Sequence, residues 1–212
     1  MHSAQLIESQ ARRPGPGLTA KERVRACLRH EEPDHVPWGE LEIDGPIMAA
    51  VLGRPTFYRD GFHTIEAYWQ GRREEVVDSM KRDYVEFIRQ TGMDLATLTA
   101  GIVPARDAEF HPPRRMGESD FVDGRGNRFR HAPGTADLML IEAGQGPVSF
   151  FTKRALPPGE YFSPGDSELE FARHVVAELG ATHFIVAPGY FAQPEIPFRP
   201  ADNEIIMSII SA

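Results

Sequence analysis

Hydrophobic positions recur along the chain at spacings that switch between helical and extended periods. Thr19 is an N-cap candidate, and Glu22 three residues on completes a capping box. Val24, Cys27 and Leu28 then fall at helical spacing, so one stripe of this first helix is predicted to face a core. Pro33 forces Glu32 out of the α region and closes the helix. The chain turns at Asp34-His35-Val36-Pro37, and residues 38–43 read as a short strand. Residues 46–52 follow as a short helix with Gly53 at its C′ position. The loop 54–63 carries Phe57, Tyr58 and Phe62, which predicts that it packs. Residues 64–90 are helical, with a break at Gly71. Val76, Val77, Met80, Tyr84, Phe87 and Ile88 give the second part a strong apolar stripe. Gly92 ends it, and residues 94–100 read as a buried strand.

The second half is more broken. Residues 101–120 are irregular, with three prolines and the pair Arg114-Arg115. Residues 121–122 and 128–130 flank a glycine-rich turn and predict a hairpin, with 137–142 as a third strand beside it. Residues 144–166 form a loop rich in Pro and Gly. Ser167 is read as the cap of a helix with Glu170 as its box partner and Leu169, Ala172, Val176 and Leu179 as its stripe. Gly180 stops that helix, and residues 183–187 form a short apolar strand. Asp202 is read as the cap of a last helix, 205–210. Strand, helix, strand is the recurring unit, which favours an α/β fold with a parallel sheet and crossover helices. Its strands are 38–43, 94–100 and 183–187.

Three short texts resemble the N-terminus of the uroporphyrinogen decarboxylase superfamily: Glu22-Arg23-Val24, then His30-Glu31-Glu32-Pro33-Asp34, then Val36-Pro37. Weaker echoes follow at Gly92-Met93-Asp94 and at Phe121-Val122-Asp123-Gly124 with Gly126. The likeness runs from about residue 18 to about residue 140, and more loosely to the end. It implies a TIM-type (β/α)8 barrel. Such a barrel needs eight strands and typically about 250 residues. Much of the first 90 residues here goes to tail, helices and one strand. The expectation is therefore a flexible tail, 1–17, followed by an N-terminal part of the barrel, 18–212, with a β-hairpin insertion at about 121–142. The chain would be a natural short form or a truncated one.

Composition narrows the partners. A net charge of −8 argues against nucleic acid, because phosphate binding needs clustered Lys and Arg. No apolar run approaches the roughly 18 residues that a membrane span needs. The single cysteine, Cys27, excludes an internal disulfide, and a cytoplasmic setting follows as the default.

The resemblance also carries chemistry, and the sequence departs from part of it. The decarboxylase branch holds substrate carboxylates with the arginines of a Met-Arg-Gln-Ala-Gly-Arg motif, whose first arginine falls on Glu42. A carboxylate there reverses the local field against a polycarboxylate porphyrinogen. The catalytic aspartate of that branch falls on Gly101. The methyltransferase-type branch implies a zinc-bound thiolate acceptor and a corrinoid, with His and Cys ligands in a later part of the barrel. This chain itself is expected to bind no cofactor or metal: its eight histidines form no His-x-x-x-His pair. His183 has its place on a strand, and His30 and His35 flank a turn.

Glu40, Glu42 and Asp44 alternate along the first strand and share one face. They either line a barrel mouth, as candidate catalytic carboxylates, or form a solvated face. Trp38, Thr99, Gly101 and Tyr190 are the candidate substrate-binding residues. Arg125, Arg128 and Arg130 form either a positive rim or a solvated hairpin face, and Gly124-Arg125-Gly126 is a hairpin turn rather than a phosphate loop. The leading expectation is a corrinoid-linked methyltransferase-type protein taking a small-molecule substrate or a corrinoid protein as partner. One alternative is a non-catalytic half barrel that self-associates or pairs with a second chain. The other is a uroporphyrinogen decarboxylase of tetrapyrrole synthesis, against which Glu42 and Gly101 both count.

Overall fold

A capped helix, α1 (Ala20–Leu28), opens the described part of the chain. The structure is a computed structural model and describes residues 17–132, 137–145 and 164–187. The expected box forms: Thr19 Oγ1 accepts from the Glu22 N–H at 3.2 Å, and Glu22 Oε2 accepts from the Thr19 N–H at 2.8 Å. The buried face differs from the expected stripe. Arg23, Val24 and Ala26 are buried, Cys27 is half-buried and Leu28 is 66% exposed. Two carboxylates draw Arg23 inward, and this rotates the helix.

Next come α2 (Gly45–Leu52), α3 (Gly61–Trp69) and α4 (Arg73–Thr91), with left-handed glycines at 53, 71 and 92 ending α2, breaking α3 from α4 and ending α4. All six expected stripe residues of α4 are buried. Burying such a side chain is worth roughly 1.5–3 kcal/mol, so α4 dominates the core. The strand β1 (Leu95–Thr97) follows. An antiparallel sheet of order β2-β3-β4-β5 comes next, built from β2 (Arg114–Arg115), β3 (Asp120–Val122), β4 (Arg128–Ala132) and β5 (Asp137–Glu142). The hairpin and third strand are as expected, and β2 is an addition. Arg130 and Asp120 face each other across β3 and β4 in a paired ion contact of 2.7 Å, and Arg128 meets Glu142 at 2.9 Å. Cross-strand ion pairs therefore occupy two of the three arginines of the supposed rim. Finally α5 (Glu170–Leu179) leads into β6 (Phe184–Val186), which pairs in parallel with β1, Leu95 opposite Phe184 and Thr97 opposite Val186.

Two cores result. The larger joins α2, α4, α5 and β1 around Met48, Tyr58, Tyr84, Ile88, Phe171 and Leu179. The smaller joins α3 to the antiparallel sheet through Phe62, Phe121 and Phe129.

Two expected elements are corrected. Residues 38–43 form no strand. The segment touches β1 at one point, where the Trp38 carbonyl accepts from the Asp94 and Leu95 N–H groups. Gly39 permits that approach, since a Cβ there would lie 2.7 Å from the Leu95 Cβ. Beyond it, Glu40 Oε1 accepts from the Leu41 N–H at 2.9 Å, a local bond that withdraws a donor from any ladder. The start of α5 also differs. Leu169, not Ser167, is the N-cap, with no side-chain cap bond. Glu170 turns instead to Lys81, which donates to it at 2.7 Å, and to Arg73, an ion pair at 2.7 Å, because these charge contacts outweigh a capping box. The buried stripe is Phe171, Val175 and Leu179, and Val176 is 51% exposed. The tail, Tyr190 and the helix expected at 205–210 lie outside the described residues.

Candidate functional site

The two ends of β1 carry different chemistry. At its amino end Arg23 is saturated. Its guanidinium donates to Asp34 through Nε at 2.6 Å and Nη2 at 3.1 Å, to the Leu18 carbonyl at 2.9 Å, and through Nη1 to Asp94. Asp94 is 1% exposed, and its second oxygen accepts from the Trp38 N–H at 2.9 Å. The hydrogen bonds from Arg23 hold the Asp34 carboxyl down at about 2. His35 lies 3.6 Å from Asp34 and 3.9 Å from Asp94, beside the node. Every charge here is answered by another from the protein. This is a structural lock joining α1, the Glu-Pro-Asp turn and β1.

At the carboxyl end of β1 the polar groups are under-used. The Tyr58 and Thr99 hydroxyls meet at 3.4 Å, a long contact. Burial pushes the Tyr58 hydroxyl above its ordinary value, and the bond to Thr99 pulls the other way. Tyr84, its ring tilted against that of Tyr58 with centroids 4.8 Å apart, donates to the Thr97 carbonyl at 2.6 Å and holds the strand end. Arg59 follows Tyr58. Its Nη2 reaches Glu42 at 3.2 Å and Asp44 at 3.5 Å, while its buried Nε–H has no hydrogen-bond partner. The Arg59 backbone is left-handed, with φ 50°.

The expected site residues separate accordingly. Glu42 and Asp44 share Arg59 at exposed positions. Glu40 is exposed and bonded to its own neighbour, so the three carboxylates do not act as one set. Thr99 lies at the same end as Glu42, linked to it through Tyr58 and Arg59. Gly101 is buried, its N–H donating to the Leu98 carbonyl at 3.1 Å. Trp38 is bonded at the opposite end of β1 and does not join them. His183 precedes β6, at its amino end, with Nδ1 2.8 Å from the Thr182 hydroxyl. Tyr190 lies outside the described residues. Tyr58 and Arg59 were not expected as site residues. The one signal for them was the Asp60-Gly61 turn pair, which marks a tight bend but not what its neighbours present.

Among the described residues no three His, Cys, Asp or Glu side chains are grouped to hold a metal ion, so the donor set for the zinc that the resemblance implies is not found among them. No described helix is long and apolar enough to cross a membrane. An open groove of about 630 Å³ runs along the outer faces of α4 and α5, but its charges meet one another, as in Arg89 and Glu178 at 2.8 Å. Compared with protein-family models, curated protein sequences and solved structures, the chain matches none.

Proposed function

We propose that this protein is a methyltransferase-type member of the uroporphyrinogen decarboxylase superfamily. Its substrate would bind at the carboxyl end of β1, among Glu42, Asp44, Tyr58, Arg59 and Thr99. One observation carries the reading. Arg23, Asp34 and Asp94, distant in sequence and each part of a text that bears the resemblance, converge on a single buried node at the start of a parallel strand. Barrel enzymes use that end of the strands for stability and the opposite end for chemistry. Placing carboxylates at the chemical end favours a small acceptor over a polycarboxylate porphyrinogen. In this reading a corrinoid, when bound, would supply or take up the methyl group, and the residues of this chain would hold the small acceptor. An N–H or S–H acceptor must lose its proton, and Glu42 is the carboxylate at hand to take it. The lone half-buried thiol fits a cytoplasmic setting.

The test is methyl loss from methylcobalamin in the presence of the chain and a panel of small thiols and amines, followed by visible absorbance. Demethylation above a protein-free control is expected with at least one acceptor. No acceleration with any of them would end the proposal, as would conversion of uroporphyrinogen.

Assembly with a second chain is favoured by a different observation. Phe184, Ile185 and Val186 are all only half-buried, and among the described residues β6 pairs with β1 alone. An open strand edge of this kind invites another strand. Sedimentation at micromolar concentration decides it: a compact monomer excludes such assembly.

A further inference from the structure

We infer that Arg59 is a specificity-determining residue, and that the ligand of this end of β1 is a small zwitterion carrying a carboxylate and a cationic nitrogen. The inference rests on the reading of this end as the substrate end. Four observations lead to it. The guanidinium is poorly used: its Nη2 contacts are single and long, and its Nε–H has no hydrogen-bond partner. Nε and Nη2 form one edge of the guanidinium fork, the edge that takes a carboxylate through two parallel bonds. The Tyr58 and Thr99 hydroxyls nearby are similarly loose, with donor capacity to spare. Glu42 and Asp44 stand on the same guanidinium, so one place offers a cation and an anion side by side.

A purely anionic ligand would gain Arg59 but meet two carboxylates, and a purely cationic one would have to displace the guanidinium. A zwitterion answers both at once. Its carboxylate takes the Nε–Nη2 edge of Arg59 as Glu42 and Asp44 leave Nη2, and its cationic group takes those two carboxylates. The backbone agrees with a functional rather than a structural arginine. Left-handed geometry at a non-glycine residue costs energy and persists where the surroundings impose it. Here the Gly45 N–H donates to the Arg59 carbonyl at 3.0 Å, and Gly45 is so close to Asp60 that a Cβ would lie 2.7 Å from its Cα. The α2 start thus holds the bend, while the side chain it presents makes few contacts of its own.

Glycine betaine, choline and acetate, titrated separately into the full chain and read by NMR line shifts, test the idea without any transfer reaction. Glycine betaine should bind at least ten-fold tighter than either single ion. In Arg59→Gly, whose residue accepts a positive φ, this advantage over choline should vanish while the melting temperature does not fall. Arg59→Lys, which keeps charge but loses the fork, should lose it too and serves if the glycine variant fails to fold. Glu42→Gln should weaken choline more than acetate. Equal binding of betaine and choline to the parent, no binding at all, or a betaine preference that survives in both Arg59 variants would overturn the inference. Betaine binding without methyl transfer would refute only the methyltransferase reading. Transfer to carboxylate-free acceptors without betaine preference would refute only this one.

Discussion

Arg23 and Arg59 sit at opposite ends of one short strand, and each faces two carboxylates. Arg23 is 8% exposed and donates to Asp34, Asp94 and a backbone carbonyl. Arg59 is held by single contacts of 3.2 and 3.5 Å to side chains more than half exposed, and one of its buried donors has no bond. The difference separates an arginine that the protein answers fully from one that it answers only in part. In a low-dielectric setting a guanidinium must be fully answered by the protein, or removing it from water costs several kcal/mol. Where it is incompletely answered and the backbone is strained to present it, a ligand is the natural completion. The short texts singled out in the sequence include the first arginine, without a role for it, and do not include the second.

The largest expected effect is at the saturated end. Asp94→Ala removes a carboxylate that is 1% exposed, leaves Arg23 with one partner fewer and strips the Trp38 N–H of its acceptor. Breaking a buried pair from one side costs about 3–5 kcal/mol. Urea unfolding should show that loss, and the double variant Arg23→Met with Asp94→Ala should recover part of it. A loss below about 1 kcal/mol would place Arg23 and Arg59 in one class.

Acid comes next and acts on the same kind of contact. Hydrogen bonds from Arg23 hold Asp34 at about 2 against an ordinary 3.8. Glu170, pushed up by burial but pulled down further by Lys81 and Arg73, lies at about 2 against 4.5. A depressed carboxyl contributes stability above its unfolded pKa and loses it as pH falls through the folded value. Thermal stability should therefore fall most steeply from about pH 5 to about pH 2, after a smaller step that starts near pH 6.5, where burial of His183 opposes its charging. Glu170→Gln should make the fall shallower. A fall that is mostly complete by about pH 5 would assign the acid sensitivity to histidines instead.

Much of the architecture was legible because periodicity and glycine positions determine it locally. The α4 stripe, the break at Gly71, the end at Gly92 and the hairpin all needed only neighbours in sequence. What was illegible depended on partners far along the chain. Arg23 turns inward because Asp94 lies 71 positions away, and this displaces Leu28 to the surface. Glu170 abandons the cap role because Lys81 and Arg73 on α4 claim it, and the α5 stripe shifts with it. The strand expected at 38–43 fails for a local reason that alternation does not reveal, the bond from the Leu41 N–H to its neighbour Glu40. Of the residues gathered at the carboxyl end of β1, Glu42, Asp44 and Thr99 were candidates in the sequence. Arg59, which joins the two carboxylates, was not, because the Asp60-Gly61 pair marks a bend but not the side chain presented beside it.

A smaller effect of opposite sign is expected at Arg59. Glycine takes φ 50° without strain, which is worth about 1–2 kcal/mol, and against this stand the flexibility it adds to the unfolded chain and a weak ion pair. Arg59→Gly should match the parent or exceed it by up to about 1 kcal/mol in urea unfolding. A loss of more than about 2 kcal/mol would make Arg59 a second structural lock.

Glu42→Gln is the finest test. The Glu42 side chain is 55% exposed and its one contact with Arg59 is 3.2 Å long, so solvent screens most of the attraction. Gln keeps the shape and an acceptor oxygen while removing the charge. The change in stability should stay within about 0.5 kcal/mol, the range of ordinary surface substitutions. Ligand preference should nevertheless move, because the same charge that does little for the fold lies open to whatever binds. The two measurements together separate the ends of β1: the carboxylate of Asp94 matters to folding, and that of Glu42 to binding. A stability loss above about 1 kcal/mol with no change in choline affinity would reverse that assignment and leave the carboxyl end of β1 as an ordinary charged surface.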